Sequence, residues 1–257
     1  MTELAGAGGP AGSAVAAASA PDRDDFRRTH LWWPAAAFLT VFCLIETLRL
    51  DRRIAHALFF DSATHRWLGG GAADVWACGI IHNGGRWLVR SVAGSALVMW
   101  LLSLVMRRAR QWRSAAGFVL LAMVSSVAVV GGLKAVTNVD CPWDLAGFGG
   151  DRPYVTLFGD RPDSLPRAAC FPGAHSSSGF ALVCFYFLWR DRSRRIARLA
   201  LWTAIGIGLL FSLGQEARGA HFLSHDFASA GIVWFLQVTI YMRMLKPRAA
   251  LPRNGSS

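Results

Sequence analysis

The sequence predicts an all-α, polytopic membrane protein of six transmembrane helices, and three observations predict it. Hydrophobic residues make up 53% of the chain against 17% charged, and the mean hydropathy is +0.34, more apolar surface than an ordinary soluble domain carries. The apolar residues fall in runs close to the roughly 17 to 25 residues that cross a bilayer as a helix. Arginines sit in short clusters between those runs, where they set membrane orientation.

In chain order, residues 1–25 are rich in Ala, Gly and Ser with a short charged end. Such a segment has too little apolar bulk to offset the entropy of ordering, so a disordered tail is expected there. Glu3 at a start without Lys or Arg, and the lack of a leucine-type core, argue against a signal peptide. Apolar runs follow at 31–48, 87–106, 114–133, 173–189, 199–217 and 227–245, so residues 26–245 form one membrane domain and 246–257 a second tail. The fourth and fifth runs reach span length only by taking in polar residues such as His175, Gln215 and Glu216, which places those ends at the interface. Eleven tryptophans, many at run ends, suit an interfacial belt. Between the first two runs, Trp67, Trp76, Ile80 and Ile81 predict a segment lying along the membrane surface. Over 138–170, Pro142, Pro153, Pro162 and Pro166 among glycines and aspartates predict an ordered outer loop.

The basic clusters fix the expected orientation. Arg23, Arg27 and Arg28 precede the first run, Arg107, Arg108, Arg110 and Arg113 follow the second, and Arg190, Arg192, Arg194, Arg195 and Arg198 follow the fourth. Arg243, Lys246, Arg248 and Arg253 follow the sixth. If the spans alternate, all four clusters share one side, and the positive-inside rule puts both termini in the cytoplasm of an inner-membrane protein. The net charge of +11 is then a matter of topology, not of nucleic-acid binding. Arg52, Arg53, Arg66, Arg86 and Arg90 fall on the other side and run against the rule.

Three polar stretches share the face opposite the clusters. They are Lys134 with Asp140-Cys141-Pro142, then Pro172-Gly173-Ala174-His175-Ser176-Ser177, then Arg218-Gly-Ala-His221-Phe-Leu-Ser-His225-Asp226. On a helix, positions 218, 221 and 225 fall on one face, and ionisable groups bordering a span mark function by default. A Pro-Gly turn into a serine-rich helix start exposes backbone N–H groups that suit an anion. Each stretch also has a plainer reading: a lysine snorkels at a span end, serine caps a helix, and two histidines four apart grip a metal in other settings. No stretch decides alone. His30, His56, His65 and His82 have no such company and read as structural.

Together the stretches resemble the tripartite signature of the type 2 phosphatidic acid phosphatase superfamily, membrane-bound branch. That signature is a lysine, six residues and Arg-Pro; then Pro-Ser-Gly-His; then an arginine, five residues, a histidine, three residues and an aspartate. The resemblance covers approximately 87–245 and is strongest to a bacterial subgroup whose first motif ends Cys-Pro-Trp-Asp and whose third contains Gly-Ala-His-Phe-Leu-Ser-His. The departures are specific. Cys141 stands at the first arginine, Gly173 and Ala174 stand at the serine and glycine, and Gln215 stands at the third-motif arginine, leaving Arg218 to supply a guanidinium. The fourth residue after His221 is His225, with Asp226 one further.

The resemblance implies hydrolysis of a phosphomonoester or diphosphate through a phosphohistidine at an active site on the periplasmic membrane interface. His221 would be the nucleophile, His225 or Asp226 would hold its other ring nitrogen, and His175 would protonate the leaving oxygen. Lys134, Arg218, Gly173, Ala174 and Ser176 would bind the phosphate, with no metal or other cofactor. The implied substrate is a phospholipid or polyprenyl phosphate whose chain stays in the bilayer. Two other classes stay open: a non-catalytic phospholipid-binding or transport protein on the same fold, and a metallohydrolase in which Cys141, Cys170 or His175 completes a histidine ligand set. Cys141 and Cys170 also bracket the outer loop in an oxidising compartment, where a disulfide is expected. Closing a loop of about 30 residues is worth on the order of 3.5 kcal/mol by the chain-entropy relation.

Overall fold

The computed structural model describes residues 23–70 and 75–245. The expected tails lie outside the described residues, apart from Arg23, Asp24 and Asp25, which fall at the start of the first helix. That helix, α1 (Asp24–Thr47), is followed by the short α2 (Leu50–Ile54) and a two-residue antiparallel hairpin, β1 (Phe60–Asp61) on β2 (Arg66–Trp67). The long helices α3 (Trp76–Val105) and α4 (Arg113–Thr137) come next. Then follow α5, residues 174–189, α6 (Arg194–Ala217) and α7 (Leu223–Met244).

Among the described residues, five helical stretches are long and apolar enough to cross a membrane: those holding α1, α3, α4, α6 and α7. The fourth apolar run, 173–189, folds as three joined pieces of 7, 3 and 6 residues, the middle one a 3-10 turn at Ala181–Val183, and falls short of that length. Its apolar residues pack into the protein interior. Ala181, Cys184 and Phe187 are buried with Phe118, Met123, Phe211 and Val238 from α4, α6 and α7. The outer surfaces of the long helices carry exposed Trp33, Leu199 and Trp202, which suits helices whose backbone bonds are satisfied internally and whose side chains meet hydrocarbon. Buried Gln237 of α7 donates to the Ala181 carbonyl at 2.8 Å and to Ser126 Oγ at 3.2 Å, a polar tie between helices.

The second expected span begins earlier than the sequence suggests. Trp76, Ile80 and Ile81 are part of α3 rather than of a separate surface segment. The helix runs through Gly84 and Gly85, although glycine costs about 1 kcal/mol in a helix interior. In the fold, Gly85 is a contact point: a Cβ there would lie 2.4 Å from the Phe211 ring of α6. Close packing offsets the propensity.

Residues 138–173 form a loop ordered by charge and aromatic contacts. Buried Asp140 accepts from Arg152 at 2.6 Å and from Arg161 at 2.7 and 2.9 Å. Phe148 stacks on His56 at 4.2 Å and on Trp67 of the hairpin at 5.3 Å between ring centroids. At the end of α4, Asn138 takes the left-handed conformation that a helix C-terminus favours, and its Oδ1 accepts the Ala168 N–H at 2.9 Å. Cys141 and Cys170 are joined by a disulfide with Cα atoms 5.2 Å apart.

Candidate active site

The third motif crosses the turn between α6 and α7. Gly219 lies at φ +72°, and a Cβ there would meet the Trp67 indole at 2.3 Å, so the hairpin ring closes directly over this turn. The start of α7 is held from far away in the chain. Asp51, 173 residues upstream and buried, accepts the Ser224 N–H on Oδ1 at 2.8 Å and the Ser224 hydroxyl on Oδ2 at 2.5 Å. A carboxylate on the free N–H groups of a helix start is a stabilising cap.

That cap fixes the helix turn that presents Asp226. His221 Nδ1 lies 2.7 Å from Asp226 Oδ1, and both side chains are buried. Burial, reinforced by the charges of Lys134 and Arg218, lowers the His221 imidazole to about 3, so the ring is neutral at ordinary pH. A neutral ring donating Nδ1–H to the carboxylate keeps its lone pair on Nε2. Ser176 Oγ lies 2.6 Å from the same Asp226 oxygen and 2.9 Å from the Gly173 carbonyl, so its hydroxyl braces the carboxylate.

Gly173 explains itself in this setting. A Cβ at 173 would lie 2.2 Å from Asp226 Oδ1 and 2.7 Å from His221 Nδ1, leaving no room for the serine of the usual pattern. Its N–H donates to the His225 carbonyl at 3.0 Å, and its carbonyl accepts from Ser229 Oγ at 2.8 Å. The second and third motifs are stitched together by these bonds, and the Gly173 amide is therefore used within the protein. Ala174 packs against the apolar cluster of Val130, Phe180 and Val233, with its carbonyl accepting from Ser177 Oγ at 2.7 Å.

The structure separates the two candidates for the group beside His221. Asp226 meets its ring nitrogen, whereas the His225 ring stands 6.0 Å away between centroids. His225 packs edge-on against Phe171 at 5.4 Å and Phe222 at 5.7 Å and bonds to the Cys170 backbone. His175, at the start of α5, stacks on Phe211 at 4.5 Å. Buried polar atoms without a protein partner gather here: His175 Nε2, His225 Nδ1 and Asp226 Oδ2. Unpaired buried polar atoms are costly, so a concentration of them marks a place built to meet something else.

Lys134 at the end of α4 and Arg218 at the end of α6 are half-buried. The Lys134 charge acts on His221, His225 and Asp226, and that of Arg218 on His175 and His221. The three motifs therefore converge. One further residue joins them that sequence reading set aside: the His82 ring of α3 lies 4.3 Å from that of His175, and its Nδ1 is 3.2 Å from Gln215 Nε2. His30, in contrast, bonds Tyr186 at 2.7 Å and stacks on Trp234, and His56 and His65 pack on aromatic rings of the loop and hairpin.

As for a metal, Cys141 and Cys170 are bonded to each other and offer no thiolate, and among the described residues no group of three or more His, Cys, Asp or Glu side chains is placed to hold an ion. An apolar cleft of about 660 Å³ is lined by Phe38, Val41, Leu58, Leu209 and Phe227, with Glu216 and Asp226 also in its lining.

Residues 115–248 match the family model of the PAP2 superfamily. Comparison with curated proteins and with solved structures finds no significant match.

Proposed function

The chain belongs to the PAP2 superfamily, and on that premise we propose that it is a membrane phosphatase that hydrolyses a lipid phosphate or diphosphate through a phosphohistidine. The observation that carries the reading is the buried bond from His221 Nδ1 to Asp226 at 2.7 Å, which leaves a nucleophilic Nε2 on a neutral ring. In the first step Nε2 attacks phosphorus while the bond to the lipid oxygen breaks, and His175, which burial holds down to about 3 and which takes up a proton beside the negatively charged phosphate, gives that proton to the lipid oxygen. Asp226 stabilises the imidazole as it gains positive charge. In the second step His175 takes a proton from water, the water oxygen attacks phosphorus, and the P–N bond breaks to release phosphate. Lys134 and Arg218 balance the charge on the phosphoryl oxygens, the largest task in a reaction of this kind.

A lipid substrate fits the apolar cleft that has Asp226 in its lining, where a hydrocarbon chain can lie while the head group stays at the motifs. In this reading the site faces the periplasm and both termini the cytoplasm, as the basic clusters favour. An impermeant thiol reagent should then label Ser164→Cys in cells with a permeabilised outer membrane, and protection there with labelling of Ser193→Cys would reverse the topology.

The function is tested by offering the detergent-solubilised protein a panel of phosphatidate, phosphatidylglycerophosphate, lipid A and polyprenyl diphosphate, with and without EDTA. Phosphate release indifferent to chelator is expected. Loss of release on chelation would favour a metal-dependent hydrolase. Phospholipid binding with no release from any member would favour a non-catalytic protein.

A further inference from the structure

We propose that His82 is a further phosphate ligand of this site, donating its Nε2–H where the family pattern places an arginine and this chain has Gln215. The inference rests on the phosphatase reading and adds to it a residue from outside the matched stretch 115–248.

Arg218 Nη1 lies 3.4 Å from Gln215 Oε1, and a guanidinium only donates, so the carbonyl end of the Gln215 amide faces Arg218. The amide NH2 then faces His82 Nδ1 at 3.2 Å and donates to it. A ring that accepts on Nδ1 carries its proton on Nε2, so Gln215 sets the tautomer of His82. Among the described residues, His82 Nε2 has no hydrogen bond to protein. The ring lies 4.3 Å from that of His175, within the space where the three motifs converge.

Position is fixed as well as protonation. Phe211 stacks on the His175 ring on one side and fills the space left by Gly85 on the other, so one aromatic side chain locks the start of α3 to the second motif. Arg86, one helical turn beyond His82, adds its charge to that of Arg218 at both His82 and His175. The outcome is an imidazole donor inside a cationic rim. It supplies one phosphate contact where Gln215 has turned its amide away to orient it.

The test compares His82→Phe, which keeps an aromatic ring against His175 without the donor, and His82→Gln, which keeps a donor. Inorganic phosphate is the binding probe, followed by isothermal titration and by inhibition of lipid-phosphate hydrolysis. Loss of one hydrogen bond to a charged group should weaken phosphate binding and kcat/KM about 10- to 100-fold in His82→Phe, with much of the loss restored in His82→Gln. Should His82→Phe not fold, Gln215→Met serves instead, because it leaves His82 in place but frees its tautomer and should weaken phosphate binding several-fold. Unchanged phosphate binding in either variant overturns the inference while leaving the phosphatase reading intact. Weaker phosphate binding in a protein that hydrolyses no lipid phosphate would do the reverse. A parent protein that binds no phosphate overturns both.

Discussion

The stretch 115–248 and the stretch before it serve one site in opposite ways. The later stretch carries the groups proposed to react and to hold charge: Lys134 at the end of an apolar run, and His175, Arg218, His221 and Asp226 among other polar residues. The earlier stretch carries Asp51, Trp67 and His82, far apart in sequence and outside the three motifs, and each meets a different part of the site. Asp51 caps the helix of Asp226, Trp67 covers the Gly219 turn, and His82 lies against His175. Damage should therefore differ in kind between the stretches: loss of chemistry from the later one, and from the earlier one loss of backbone precision at Asp51 and Trp67 and of one phosphate contact at His82.

The sharpest contrast comes from the buried pair. His221→Ala should lower kcat about 10⁴-fold or more while the protein stays folded in detergent, as expected when a nucleophile is removed. Asp226→Asn keeps the shape but not the charge and should cost about 10³- to 10⁴-fold, by analogy with the carboxylate of a hydrolase triad. His225→Gln should cost far less, since His225 packs on Phe171 and Phe222 and does not touch His221. A His225 variant as inactive as His221→Ala, measured by phosphate release, would break the assignment of Asp226.

Effects on stability come next. Reduction of the Cys141–Cys170 bond, or a double change to serine, opens a loop with a sequence separation of 29 and should lower stability by up to about 3.5 kcal/mol. The fall in Tm on adding reductant should be absent from the double-serine protein. Asp51→Ala removes the cap of α7 and should cost about 1 to 2 kcal/mol with a roughly tenfold loss of kcat at similar KM, whereas Asp51→Asn keeps an acceptor for the Ser224 N–H and should recover much of both. An equal fall in phosphate release and Tm for the two variants would show that the carboxylate charge and its bond from the Ser224 hydroxyl, which both variants lose, matter at this position rather than an acceptor for the Ser224 N–H.

The smallest effect is a pH slope. Burial raises the Asp51 carboxyl from its ordinary 3.8 to about 6, against the pull of its bonds from Ser224. The folded protein thus holds a proton that the unfolded chain releases at lower pH. This contribution to stability is full below about 3.8 and lost as pH rises through about 6. Thermal unfolding of the parent protein and of Asp51→Asn between pH 4 and 7.5 should show a slope in the first that is flatter in the second.

The same contrast explains what could be read from the chain alone. The apolar runs at 31–48, 114–133, 199–217 and 227–245 fall within helices because length and composition decide a membrane span. The run at 173–189, which reaches span length only by taking in motif residues, folds as a buried helix inside the bundle, and apolar composition does not distinguish such a helix from one that faces lipid. The start of α3 misleads because the value of Gly85 lies in a contact with Phe211, over a hundred residues later. The third motif left His225 and Asp226 as equal candidates: residue spacing names both, and only the way the turn at Gly219 enters α7 brings Asp226 to His221. His82 and Asp51 carry no local signal. A lone histidine at the end of an apolar stretch, or an aspartate beside two arginines, looks the same whether or not a partner waits across the fold.

The central claim is that His221 carries the phosphoryl group, and trapping that intermediate tests it most directly. The purified protein would be mixed with a lipid phosphate labelled with ³²P, quenched in alkali within the first turnover, digested and mapped by mass spectrometry. The account predicts an alkali-stable, acid-labile label on the peptide holding His221, localised to that ring and absent from His221→Ala. Labelling of His225 instead, or steady phosphate release with no labelled peptide at any quench time, would contradict it.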